Sequence, residues 1–143
     1  MRYAILAILI ILLSLPPVYA TTVESALRVV VSAQNPQQQL SRSELNRIFL
    51  GKTRKWTHGE RVALAINSEA SAMDEFCQTI VHKTPRQFSM YWRKQLYSGH
   101  SMLPAQFDTD EHIIDYVAEH SGAIGFILSP INDPRIKEVM IAP

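Results

Sequence analysis

Between Arg61 and Val81 the hydrophobic period changes within a few residues, and that change limits what the chain can become. Val62 to Ile66 is a continuous apolar run of the length of a buried strand. Asn67 to Ser71 is small and polar, as a turn requires. From there Ala72, Met73, Phe76, Cys77, Ile80 and Val81 recur three and four apart and share one helix face. The spacing predicts a strand feeding a helix, with Ser68 or Ser71 accepting hydrogen bonds from the helix's first free N–H groups. Such a turn can act as an anion site, because unpaired N–H groups point out of it. It can equally be a plain capped βα unit that binds nothing.

The remaining elements fall around this unit. Ala26 to Ser32 is apolar and β-branched and reads as a first strand. Ala33 to Gln39 reads as loop. Ser41 and Glu44 have capping-box spacing and Leu40 and Leu45 can staple the helix start, so a helix is expected to about Leu50 and to end at Gly51. The basic run Lys52-Thr53-Arg54-Lys55 ends in Trp56. It is either an anion or acidic-partner patch or a solvated loop pinned by a packed tryptophan. Thr84, Pro85 and Gln87 start a further helix whose Phe88, Tyr91, Trp92 and Leu96 are expected to face the core. Met102 to Pro104 reads as loop. Asp108 and Glu111 have capping-box spacing for a helix that buries Ile113, Ile114, Val117 and Ala118. Ala123 to Leu128 reads as a buried strand with a close approach at Gly125, and Ile136 to Ile141 as one last strand at an edge. Helices between apolar strands predict an α/β domain with a mainly parallel sheet covered on both faces.

The N-terminus adds a targeting expectation. Arg2 precedes the apolar run Ala4 to Leu15, Pro16 and Pro17 break it, and Val18-Tyr19-Ala20 suits a signal peptidase. Residues 1–20 are therefore expected to be a cleaved signal peptide, and 21–143 a single domain in the periplasm. No cysteine stands at the cleavage point for a lipid anchor, and no later run is long enough to span a membrane. Cleavage removes Arg2 and leaves 13 basic against 13 acidic residues, a net charge of zero. That balance argues against general binding to nucleic acid or anionic membrane. The sole cysteine, Cys77, has no partner for an internal disulfide and lies on an apolar helix face, so a buried, inert thiol is expected.

Catalytic patterns are missing. His58, His82, His100, His112 and His120 have no metal-ligand spacing, and no Gly-x-Ser-x-Gly, P-loop or Rossmann glycine pattern occurs. Asp108, Asp110 and Glu111 are accounted for by a helix start. A non-enzymatic protein without metal or cofactor is expected.

Leu40-Ser41-Arg42-Ser43-Glu44-Leu45-Asn46-Arg47-Ile48-Phe49-Leu50-Gly51-Lys52, followed by Trp56 and Gly59, resembles the phosphate-binding proteins of bacterial ABC importers. So do Phe76, Tyr91-Trp92, Ser98-Gly99, Pro104 and Gly122-Ala123-Ile124-Gly125-Phe126. The resemblance runs from about Leu27 to Leu128. It implies one lobe, the second, of a type II periplasmic binding protein-like fold, in which two α/β lobes close on an oxyanion. It also implies an ABC permease as partner and phosphate or another oxyanion as ligand, held by Ser68, Ser71 and the backbone N–H groups of Ala72 and Met73. The family's arginine and Ser-Gly-Thr run are replaced here by Asn67-Ser68-Glu69-Ala70-Ser71-Ala72. Glu69, Asp74 and Glu75 put carboxylates near the helix start, where they complement its dipole and repel a dianion, so phosphate affinity is expected to be weak or absent. The alternative is a periplasmic protein-interaction or sensory module that has lost its ligand.

Overall fold

The computed structural model describes residues 26–99 and 103–143. The expected signal peptide lies outside the described residues, as do His100 and Met102. In chain order the elements are β1 (Arg28–Ser32), β2 (Gln39–Ser41), α1 (Arg42–Phe49), β3 (Ala63–Asn67), α2 (Ala70–Phe76), a π-helical turn (Cys77–Val81), α3 (Pro85–Tyr97), β4 (Ala105–Phe107), α4 (Asp110–Glu119), β5 (Ala123–Ile127), β6 (Ile136–Glu138) and β7 (Met140–Ala142).

The main sheet has the order β4-β3-β5-β1-β6. β3 runs parallel to β4 and to β5, while β1 runs antiparallel to both β5 and β6. Four strands therefore point one way and β1 alone runs against them, so the sheet is mainly parallel. Helices cover both faces, as apolar strands of this kind require. Alternation along the strands divides the core. Val29, Val31, Ile66, Ile124 and Phe126 face α1, α2, the π turn and α3, whereas Val30, Ala65, Ala123 and Ile127 face α4.

The larger core is centred on aromatic rings. Phe76 stacks on Phe126 with centroids 4.0 Å apart, and Phe49 meets Phe76 edge-on at 4.8 Å. All three are fully buried, each worth about 1.5–3 kcal/mol in transfer from water. Of the three expected capping boxes, those at Ser41/Glu44 and Thr84/Gln87 form and that at Asp108/Glu111 does not. Gly51 takes φ 69° after α1, where a left-handed residue ends the helix. Trp56 is buried and donates its indole N–H to the Gly122 carbonyl at 2.9 Å, so the basic loop is pinned by a packed tryptophan.

Several expectations need correcting. Helix α2 starts at Ala70, not Ala72, and its last turn widens into a π turn that closes on left-handed His82 with φ 52°. The extra residue in that turn lets Cys77, Ile80 and Val81 all reach the core. Residues 105–107, to which the sequence assigns no element, form β4, and 39–41 form β2. The last strand is two: at Val139 the chain leaves the main sheet and β7 pairs with β2 in parallel. Thr109, not Asp108, caps α4. Leu96 is 48% exposed and stands outside the core, where α3 buries Phe88 and Trp92 and packs the half-buried Tyr91.

At Gly125 α4 packs tightly on the sheet: a Cβ there would sit 2.9 Å from Ile113 Cγ2 and 3.2 Å from the Ala65 carbonyl oxygen. Gly125→Ala is expected to destabilise the fold by about 1–3 kcal/mol through overpacking, read as a lower urea midpoint with an unchanged slope.

Candidate functional site

The carboxyl ends of the neighbouring parallel strands β3 and β4 lead into the starts of α2 and α4, so the expected ligand residues sit at one sheet edge. Asn67 ends β3 fully buried, and its amide is spent on both sides. Its Oδ1 accepts from the Glu69 N–H at 3.0 Å, and its Nδ2 donates to Asp110 Oδ1 at 2.6 Å. Asp110 Oδ2 in turn accepts from the N–H groups of Leu128 and Ser129, at 3.0 and 2.8 Å, and from the Ser129 hydroxyl at 2.7 Å. One buried amide thus links two helix starts and the end of β5.

At the start of α2 the donors are taken by the chain itself. The Glu69 side chain turns back over the helix and accepts from Ser71 N–H at 3.3 Å, Ala72 N–H at 3.0 Å and the Ser71 hydroxyl at 2.6 Å. The Ser71 hydroxyl, then the Ala72 and Ser71 amides, hold its pKa below the ordinary glutamate value. The Met73 N–H donates within the helix to the Glu69 carbonyl at 2.9 Å. Ser68 faces the other way: its N–H and its hydroxyl both donate to the Phe107 carbonyl, at 2.7 and 2.9 Å. Ser71, Ala72 and Met73 are together at one helix start, while Ser68 is tied to β4. The helix cap is Glu69, which the sequence marks as a charge complementing the helix dipole but not as the cap. Asn67 followed two residues later by Glu69 was the available signal, since an asparagine oxygen readily accepts from the second following N–H.

The surroundings are acidic. Glu69, Asp108, Asp110, Glu111, Asp115 and Asp133 share an open hollow of about 620 Å³ with Arg135. Arg135 is paired with Asp133 at 2.7 Å and Asp115 at 2.8 Å. Those hydrogen bonds lower the Asp133 pKa and raise that of Arg135. An arriving anion meets carboxylates in excess and a guanidinium already shared between two of them. Cys77 is fully buried, and burial, with Asp74 adding to it, pushes its thiol up to about 11, so it is a neutral thiol at physiological pH. Among the described residues no three His, Cys, Asp or Glu gather to hold a metal ion.

An α/β lobe with helix starts converging on the carboxyl ends of its strands is the architecture of one half of a periplasmic binding protein. Solved structures bear that out. Over 80% of its length the chain superposes on an ABC-type phosphate transport receptor from Vibrio cholerae, at TM-score 0.60 and 17% identity, covering 45% of that protein. A Clostridium perfringens protein described as a phosphate ABC transporter substrate-binding protein, with phosphate bound, gives TM-score 0.62 and 17% identity over 80% of this chain and 44% of its own. PstS from Borrelia burgdorferi gives 0.59 and 11%, with 80% and 46% covered. The fold is therefore that of one lobe of the phosphate substrate-binding proteins, and the chain spans less than half the length of each. No protein-family model and no curated protein matches the sequence.

The Glu69 cap has a pH signature. A carboxylate whose folded pKa is depressed stabilises the fold above its unfolded pKa and loses that stabilisation as pH falls through the folded value. Melting temperature is expected to fall more steeply with acid below about pH 4.5 in the native chain than in Glu69→Gln, and thermal melts of the two across that range check it.

Proposed function

We propose that the chain is an exported, non-enzymatic protein of the solute-binding type in which Glu69 stands where an oxyanion would bind, and which works through a protein partner. Residues 1–20 direct export and are removed, and 21–143 act as one domain in the periplasm. The observation that carries the reading is the Glu69 carboxylate on the Ser71 and Ala72 amides. A helix start whose donors already hold a carboxylate offers a dianion neither N–H groups nor positive potential. The surrounding excess of carboxylates supports the same reading.

A second reading keeps the carrier role. Ser68, Ser71, Ala72 and Met73 bind phosphate or another oxyanion once Glu69 swings out, and the complex serves an ABC permease. It is favoured by the bound phosphate in the Clostridium perfringens relative.

Calorimetry separates the two. The mature protein is expected to give no binding heat with millimolar phosphate, sulfate or molybdate at neutral pH, whereas Glu69→Ser, which empties the cap, gains a measurable heat with phosphate. Micromolar phosphate binding by the native chain would remove the first reading and leave the carrier. Export is checked by N-terminal sequencing of periplasmic protein, with Thr21 the expected first residue.

A further inference from the structure

Helix α3 has a face that its own fold does not use. From Lys83 to Tyr97 the chain holds Lys83, Arg86, Arg93 and Lys94 and no acidic residue. Arg86, Met90, Arg93 and Tyr97 follow one another at helical spacing and form one outward stripe, opposite the buried Phe88 and Trp92. Met90 is 57% exposed and Tyr97 84%, with Leu96 beside them. Arg86, Arg93 and Lys94 are exposed and have no ion pair among the described residues. Arg86 also stands in the first turn of a helix that has no acid there, where the dipole disfavours a cation. Arginine, tyrosine and methionine are the residue types that protein interfaces collect.

The acidic hollow of about 620 Å³ is the counterpart of this stripe. Exposed Asp108 and Glu111 line it together with the half-buried Ile114 and Leu128, so acids and apolar groups lie side by side there too. α3 and α4 cover opposite faces of the sheet, so the stripe does not reach the hollow of its own copy. The whole chain has 14 basic and 13 acidic residues, and copies meet without the net repulsion that keeps highly charged proteins apart. We propose that α3 of one copy docks in the acidic hollow of a second copy. Arg86 and Arg93 face Asp108 and Glu111, and Met90 and Tyr97 lie against Ile114 and Leu128. The contact is heterologous: it leaves a free stripe on one copy and a free hollow on the other, so growth continues past the dimer. It needs no movement of Glu69, and a chain that failed to associate would leave the Glu69 cap as described.

Sedimentation equilibrium of the mature protein tests the contact. At about 10 mM salt the average mass is expected to climb with submillimolar concentration past that of a dimer, and at about 0.5 M salt to fall back to the monomer, because salt screens exposed charges. Arg86→Gln with Arg93→Gln neutralises the stripe, and Asp108→Asn with Glu111→Gln neutralises the hollow. Each double variant alone is expected to keep the native circular dichroism spectrum and to be monomeric at low salt. Mixed, they retain one native hollow and one native stripe between them, so they are expected to form a complex of one copy of each that grows no further. A native chain that stays monomeric at low salt, association that survives either double substitution, or a mixture of folded variants that stays monomeric would each overturn the proposal. Pelleting with phosphatidylglycerol vesicles by a native chain that does not self-associate would also overturn it and give the stripe to a lipid surface.

Discussion

The carboxyl edge of the sheet depends on Asn67. This buried amide joins the Glu69 N–H on one side to the Asp110 carboxylate on the other, and Asp110 holds the two amides that follow β5. Without it, the start of α2 would lose its tie to the α4 start, and Asp110, which holds the end of β5 on its own, would lose one donor. Buried amides of this kind are costly when half satisfied and specific when fully satisfied. Here the oxygen and one N–H of the Asn67 amide are both engaged, so the positions of two helix starts are set together.

That arrangement explains how a lobe of this fold can satisfy its helix-start donors from within the chain. Helix starts supply donors, and donors at a sheet edge must be met by something. In this chain two carboxylates meet them: Asp110 takes Leu128 and Ser129, and Glu69 takes Ser71 and Ala72. A carboxylate and a phosphate ask for the same N–H groups, so an internal acid keeps the local geometry that an external anion would otherwise occupy.

Much of the fold could be read from residue order. The switch of period after Ile66, the capping pairs Ser41/Glu44 and Thr84/Gln87, and the apolar runs of β1, β3 and β5 each have a local cause, and each forms where that cause lies. The short strands β2, β4 and β7 have none. Three residues carry no period, and each is a strand only because a neighbour pairs with it. The reversed direction of β1 was equally hidden, since apolar alternation does not record orientation. At the site, Ser71, Ala72 and Met73 were found as one helix start, but the identity of the cap was not. Two serines outrank a glutamate as N-caps by propensity, and the Asn67 side chain overrules them by fixing the Glu69 N–H and thereby the turn.

The central claim is that Glu69 itself fills the amide cradle at the start of α2. Following the backbone amide protons of Ser71 and Ala72 by NMR through an acid titration tests this most directly. If the claim holds, both signals move with the titration of the Glu69 side-chain carboxyl carbon, at a pKa below that of an ordinary glutamate, and neither responds to phosphate at neutral pH. Amide signals indifferent to Glu69 titration, or displaced by phosphate at neutral pH, would contradict it.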